Sequence, residues 1–168
     1  ELIGLIKFPA DPAFESYKAE YVLHCLCIRA GAAGREAERK MLSETLAAQL
    51  LEGGLDDWRR GVLCRDLQVV GGPDAAPALG AQLAHPATSD DAARALLSIR
   101  DGAARELRAA LPKAEGRCVL NVVQALAVLP DPEAVAALKE AAAHSDREVR
   151  VAAVQGLANL ADAGSAEI

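Results

Sequence analysis

The sequence predicts an all-α protein, an α-solenoid built from about five tandem pairs of antiparallel helices. Three observations lead to this prediction. Apolar residues recur three and four positions apart, as expected of helices that bury one face. Proline, glycine and aspartate interrupt these stretches at short intervals, so the helices are short and end in capped turns. The interrupted pattern then repeats along the chain, which is typical of stacked helical repeats.

The repeating unit is clearest between Arg117 and His144. Its first helix carries an apolar stripe at Val119, Val122, Leu126 and Leu129. The segment Pro130–Pro132 stops this helix, and Asp131 is the predicted N-cap of the next one. The second helix has its own stripe at Val135, Leu138 and Ala142. His144 and Ser145 close the unit, with Ser145 or Asp146 capping the helix that follows.

Equivalent units are found by aligning the last apolar residue of each first helix, which we call its anchor. The anchors are Val70, Ile99, Leu129 and Leu160, at spacings of 29, 30 and 31 residues. A small residue recurs three or four positions before the last three anchors, as Ala95, Ala125 and Gly156. The near-constant spacing predicts tandem repeats that stack on one another.

A family resemblance follows from the last first helix. Its residues Glu148-Val149-Arg150, Ala153, Gly156-Leu157, Leu160 and Asp162 resemble short HEAT-like repeats, of the kind also found in phycobilisome-lyase-type proteins. The resemblance extends from about Leu55 to Ile168 and is looser before that. It implies a stack of helix pairs, and by analogy of fold a role in binding.

We interpret the chain as one domain, 1–168, which we expect to be part of a longer array. In order, its units are 1–54, 55–87, 88–114, 115–145 and an incomplete 146–168. Leu2, Ile3, Leu5 and Ile6 suggest the end of a preceding helix before Pro9 and Pro12. The first unit is longer, with helices at Phe14–Ala30 and Arg35–Leu51, and Ile28 is taken as its anchor. Later helices are predicted at Trp58–Val70, Ala75–Ala84, Ala92–Ile99 and Ala103–Leu111, with caps at Thr88, Ser89 or Asp90 and at Asp101.

Composition argues against two classes of partner. No apolar run reaches the roughly 18 residues of a membrane-spanning helix, so we expect no membrane partner. The net charge is −6 and no basic stripe is present, which argues against nucleic acid. No signal peptide is visible, and the compartment is left open.

Candidate catalytic residues are few. Cys25, Cys27, Cys64 and Cys118 are scattered, which favours small buried residues over a zinc site, with a disulfide or reactive thiol as the alternative. Among His24, His85 and His144, His24 lies in an apolar stretch and is expected to be hydrogen-bonded and partly buried. None of the three precedes a glutamate, unlike the His-Glu pairs of HEAT enzymes that resemble deoxyhypusine hydroxylase. We therefore expect no enzyme, no metal and no cofactor.

The leading functional interpretation is a non-enzymatic protein-interaction scaffold or rigid spacer that binds its partner on the surface lined by the second helices. The residues expected to be exposed there are Arg39, Gln82, Arg105, Arg108 and Lys139. A chromophore-attachment protein similar to phycobilin lyases is the alternative. Nucleic-acid binding or repair is a third, because Asp57 and Trp58 resemble the acidic and aromatic site residues of helical-repeat DNA glycosylases; packing explains Trp58 as well.

The last helix raises the possibility of self-association. Val149, Val154, Leu157 and Leu160 cannot all face a single neighbour, so part of this apolar surface should stay open. Open apolar patches favour association. We therefore expect possible end-to-end contacts through the C-terminal edge, in addition to a protein partner whose identity the sequence does not give.

Overall fold

The computed structural model describes residues 1–6 and 15–165, with side chains described at 1–6 and 18–161. Within this part of the chain it is all-helical, without strands, which confirms the predicted all-α class. The nine α-helices described are α1 Glu15–Ala30, α2 Glu36–Glu52, α3 Asp57–Val70, α4 Ala76–Gly80, α5 Ser89–Ile99, α6 Ala103–Ala110, α7 Arg117–Val128, α8 Val135–Ala141 and α9 Arg147–Ser165. Short 3-10 turns lie at Leu2–Leu5, Pro73–Ala75, Leu111–Lys113 and Pro132–Ala134.

Helix contacts follow chain order. The odd-numbered helices pack in sequence, α1 on α3, α3 on α5, α5 on α7 and α7 on α9. Among the even-numbered helices, α2 packs on α4 and α4 on α6. Each of α2, α4, α6 and α8 also packs on the odd-numbered helix that follows it. The core therefore lies between the odd- and even-numbered helices.

The core positions repeat at a fixed register in the odd-numbered helices. The buried residues Val122 and Leu126 of α7 lie seven and three positions before the anchor Leu129, which is buried directly after the helix. In α1, the residues with this spacing that are buried are Leu23, Cys27 and Ala30. Ile28 is instead 56% exposed, so its assignment as the first anchor is wrong. It lies roughly 100° around the helix from Cys27, away from the buried stripe, and Ala30 is the anchor of α1.

Two of the predicted caps are made and two are not. Asp131 Oδ1 accepts a hydrogen bond from the amide of Glu133, and Asp146 Oδ1 accepts one from the amide of Glu148. The Thr88 hydroxyl donates to the carbonyl of Gln82 and leaves the start of α5 without a side-chain cap. At α6 the cap position belongs to Gly102, whose φ of 76° favours glycine, and not to Asp101.

The largest difference from the predicted helices is at α4. The helix was predicted over Ala75–Ala84, but it ends at Gly80 and the chain continues in turns. Gly80 lies close to α6, as the position of a Cβ added there shows: it would be only 2.6 Å from Glu106 Oε2. The residues after Gly80 therefore do not follow the helical register that the sequence suggested.

At the N-terminal end, Leu2–Leu5 forms one 3-10 turn and Ile6 is buried. The Ile6 carbonyl accepts a hydrogen bond from Arg59 Nε at 2.7 Å, which fastens this turn to α3. The predicted breaks at Pro9 and Pro12 lie outside the described residues. None of the helices in the described ranges is long and apolar enough to cross a membrane.

Candidate functional site

The five residues predicted to line a binding surface have different environments. Lys139 is exposed on α8, and Arg105 is exposed on α6, where it pairs with Glu106 at 2.7 Å. Arg39 on α2 donates to the carbonyls of Val70 and Gly71 at 3.1 and 3.0 Å. The last carbonyls of a helix have no partner within the helix, so a cation that binds them stabilises the C-terminal end of α3. The contacts of Arg39 are thus explained by the packing of α2 on α3.

Gln82 is buried, with 6% of its surface exposed, so the prediction of an exposed Gln82 is wrong. Because α4 ends at Gly80, Gln82 lies in a turn and not on the outer face of a helix. Its side-chain oxygen is 3.4 Å from the hydroxyl of Thr88, which is also buried. Gln82 therefore stabilises the connection to α5 and is not part of an exposed surface.

Arg108 joins two consecutive even-numbered helices. Its guanidinium, on α6, donates to the carboxylates of Asp131 and Glu133 at the start of the segment that leads into α8. The side chains of Arg108 and Asp131 are 24% and 13% exposed, so this contact is partly shielded from water. Of the five predicted residues, Arg105 and Arg108 lie on α6 and Lys139 on α8, beside a cavity that Arg108 helps to line.

This cavity, of about 280 Å³, lies between α6, α7 and α8. Its wall is mostly apolar, and three polar side chains complete it: Arg108, Glu140 and His144. The other lining residues are Leu111, Pro112, Ala114, Val119, Ala137 and Ala141. Of the described residues that line it, none offers a hydroxyl or thiol nucleophile. The cavity thus presents an apolar wall with a carboxylate and a histidine at its edge.

The structure fixes the hydrogen-bonding state of His144. Its Nδ1 accepts a hydrogen bond from the amide of Asp146 at 3.0 Å, so the neutral ring carries its proton on Nε2. Arg108 is already paired with Asp131 and Glu133, which leaves Glu140, exposed on α8, as the anionic group at the cavity. A ligand here would meet the carboxylate of Glu140 as an acceptor and Nε2 of His144, the ring nitrogen that is not bonded to Asp146.

A second polar cluster lies between α1 and α3. His24 Nδ1 is 2.8 Å from Asp66 Oδ1; the His24 side chain is 47% exposed and that of Asp66 3%. Burial raises the pKa of Asp66, and the hydrogen bond from His24 opposes that rise. His24 is thus hydrogen-bonded, as expected, but it is exposed and not partly buried. In the described residues, no three His, Cys, Asp or Glu side chains are grouped to hold a metal ion.

The cysteines are all free thiols, and Cys27, Cys64 and Cys118 are buried as predicted. Cys25 is exposed, so the prediction of a small buried residue is wrong for it. Burial raises the pKa of Cys27 and Cys64 to about 12, so both stay protonated at neutral pH and are poor nucleophiles.

Trp58, which raised a resemblance to DNA glycosylases, packs against the core. The guanidinium of Arg65 lies 5.5 Å from the centre of its ring, within cation–π range. Asp57 pairs with Arg60 at 3.1 Å and lies 3.6 Å from His85 Nε2. The position of Trp58 is therefore explained by packing, and that of Asp57 by surface ion pairs.

The cavity was missed by sequence analysis because its lining comes from three separate segments. Leu111 and Pro112 lie in the 3-10 turn after α6, Val119 lies in the first turn of α7, and His144 follows α8. No local pattern joins these residues. Comparison with known proteins adds no assignment, since neither a family model nor a curated protein matches the sequence.

Proposed function

We propose that this chain is an α-solenoid of HEAT-like helix pairs that serves as a non-enzymatic protein-interaction scaffold. The architecture is supported by the sequential packing of the odd-numbered helices and by their shared core register. It is also supported by two equivalent contacts between units. Ser43 on α2 donates to Asp74 at 3.1 Å, as Arg108 on α6 donates to Glu133. Asp74 and Glu133 both follow the proline that opens the 3-10 turn before the next even-numbered helix.

The binding role rests on one observation, the mostly apolar cavity between α6, α7 and α8. At about 280 Å³ it falls just below the roughly 300–1,000 Å³ of pockets that enclose small-molecule ligands. It is better suited to one apolar side chain of a protein partner than to an entire cofactor. Interface energy is commonly concentrated in such anchors, with polar groups around them.

The charges around the cavity favour one kind of partner segment. Glu140 is exposed beside the cavity, whereas the charge of Arg108 is offset by Asp131 and Glu133. The protein as a whole carries a formal charge of −6. The partner segment that fits best has an apolar anchor residue next to a lysine or arginine, since like charges are unfavourable across an interface.

Selection from a displayed library of random peptides, with the intact chain as bait, tests this proposal. Peptides that are enriched should carry an apolar residue beside a basic one. Their affinity would be measured by fluorescence polarisation for the wild type and for Ala137→Arg, which places a long cation in the cavity. We expect at least a tenfold loss of affinity, because the anchor side chain would be displaced.

Ala136→Arg is the matched control, because Ala136 is an exposed neighbour on α8 that does not line the cavity. It should bind the peptides as the wild type does, and thermal melts should show that both variants fold. Failure to enrich any peptide, or equal affinity for the two variants, would contradict a binding role for this cavity.

A further inference from the structure

The turn that leads from α8 into α9 holds His144 by a contact that only the neutral ring can make. Nδ1 of His144 accepts a hydrogen bond from the amide of Asp146 at 3.0 Å, and a ring nitrogen accepts only while it carries no proton. The same number of atoms closes an Asx-turn, in which the side-chain oxygen of an asparagine accepts from the amide two residues later. The position of the ring therefore depends on an unprotonated Nδ1.

The backbone of this turn is held by other contacts. Arg150 of α9 donates from Nη1 to the carbonyls of His144 and Ser145, at 2.8 and 2.7 Å. Asp146 Oδ1 accepts from the amide of Glu148 and caps α9. None of these bonds involves the imidazole. Protonation of His144 should thus release the ring and leave the turn in place.

His144 also lines the cavity between α6, α7 and α8, where charged groups surround it. Glu140 of α8 and Arg108 of α6 line the same cavity, and Asp146 and Arg150 adjoin the ring on the other side. The 3-10 turn after α6 and the first turn of α7 contribute only apolar groups to the lining. Arg108 is already paired with two carboxylates, and both Asp146 and Arg150 are bonded to backbone. Glu140 is therefore the carboxylate whose charge an imidazolium at this position would offset.

We propose that protonation of His144 weakens the binding of the basic partner segment in the cavity, so that the interaction depends on pH. This inference rests on the binding function proposed above. An imidazolium cannot accept from the amide of Asp146, so the ring turns and changes the wall that the apolar anchor contacts. Its charge also offsets Glu140 and repels the lysine or arginine of the partner. Both effects act in the same direction, and imidazole is the side chain that ordinarily changes charge between about pH 5 and 8.

Fluorescence polarisation with a peptide selected at pH 7.5 tests the proposal when it is repeated at pH 5.5 and the same ionic strength. The Kd of the wild type should rise at least about fivefold, the lower end of the usual coupling between two linked sites. His144→Asn keeps an oxygen that can accept from the amide of Asp146 but does not take up a proton. Its Kd should therefore change less than about twofold between the two pH values, whatever its affinity at pH 7.5.

His85→Asn is the matched control, because it removes a histidine that does not line the cavity. It should show the same loss of affinity at pH 5.5 as the wild type. Thermal melts at both pH values show that each variant is folded. In the wild type alone, two-bond ¹H–¹⁵N spectra of the imidazole rings provide a second measurement: the ring of His144 should become doubly protonated over the pH range in which affinity is lost.

Calorimetry of peptide binding near pH 6.5, in two buffers of different ionisation enthalpy, counts the protons exchanged. The wild type should release protons on binding, since linkage is reciprocal and the bound segment favours the neutral ring. His144→Asn should release fewer. Equal release by both would overturn the proposal, as would a ring of His144 that stays neutral while affinity falls.

The failure of this proposal can be told apart from the failure of the binding function. A peptide that binds the wild type equally well at pH 7.5 and 5.5 would overturn the role of His144 and leave the binding function standing. An equal loss of affinity in the wild type and His144→Asn would do the same. The absence of any binding peptide at pH 7.5 would contradict the binding function, and this proposal with it.

Discussion

Gly156 of α9 lies directly against Ala127 of α7, where a Cβ added at the glycine would be 2.9 Å from both Cα and Cβ of the alanine. The same Cβ would also be 3.1 Å from Leu138 Cδ1 in α8. Backbone atoms cannot rotate away, so this contact sets how closely the two helices approach. The absence of a side chain at Gly156 therefore allows α9 to approach α7 this closely.

Gly156→Ala should therefore destabilise the fold, although alanine is the better helix former by about 1 kcal/mol. Forcing a methyl group against backbone costs about 1–3 kcal/mol in a packed core. We expect a net loss of about 1 kcal/mol in the free energy of unfolding, measured by urea denaturation.

Gly61→Ala provides the matched control within a helix. A Cβ at Gly61 would be 3.2 Å from Arg65 Nη1 and 3.3 Å from Asp91 Oδ2, both ends of side chains that can shift. This variant should range from neutral to about 1 kcal/mol more stable than the wild type. If Gly156→Ala were stabilised as much as Gly61→Ala, the close approach of α9 to α7 would be wrong.

Much of this helical pattern could be predicted from the sequence, because it is local. The stripe through Leu126 and Leu129, and the cap at Asp131, follow from spacing and from the conformational limits of proline. The burial of Gln82 could not be predicted, since it depends on α4 ending at Gly80 where α6 approaches.

The candidate site was less predictable than the helices. Arg108 was expected to be an exposed contact residue, yet it pairs with two carboxylates 23 and 25 residues later in the chain. The partners of such a residue depend on how helices distant in the sequence pack together, and a single apolar stripe does not encode the distance between them.

The pairing of Arg108 should matter for stability more than that of its neighbour Arg105. Arg108→Gln leaves Asp131, which is only 13% exposed, without its cation. We expect a loss of about 1–3 kcal/mol, the usual cost of removing a partner from a shielded charged group. Arg105→Gln removes a side chain that is 70% exposed and should cost less than about 1 kcal/mol. Equal unfolding free energies for the two variants would contradict the shielded pairing of Arg108.

The thiols should differ in reactivity in the folded protein. Of the four cysteines, Cys25 alone is exposed, and the pKa of both Cys27 and Cys64 is raised to about 12 by burial. Because the thiolate is the reactive form, a thiol-specific disulfide reagent should rapidly modify one cysteine per chain. Denaturation should expose the rest. Cys25→Ser is the control and should abolish the rapid phase; a rapid phase that remains would show that a second thiol is accessible.

Asp66 should make the stability of the fold depend on pH. Burial raises its pKa in the folded state above the value of about 3.9 expected in the unfolded chain. The folded protein then binds the proton of the Asp66 carboxyl group more tightly than the unfolded chain does. The contribution of Asp66 to stability therefore falls as the pH rises from about 3.9 through the raised pKa. Asp66→Asn removes this term while keeping an oxygen that can accept from His24. The stability of the variant relative to the wild type should therefore increase over that range of pH, as measured by urea denaturation at successive pH values.

Asp90→Asn controls for the change in net charge, because Asp90 is an exposed carboxylate that pairs with Arg94 one turn away on α5. The pH dependence specific to Asp66 is the difference between the two variants, each referred to the wild type. A difference that is constant from pH 3.5 to 7, or that decreases as the pH rises, would mean that burial does not dominate at Asp66. In that case the hydrogen bond from His24 at 2.8 Å would outweigh desolvation and hold the carboxylate in its charged form.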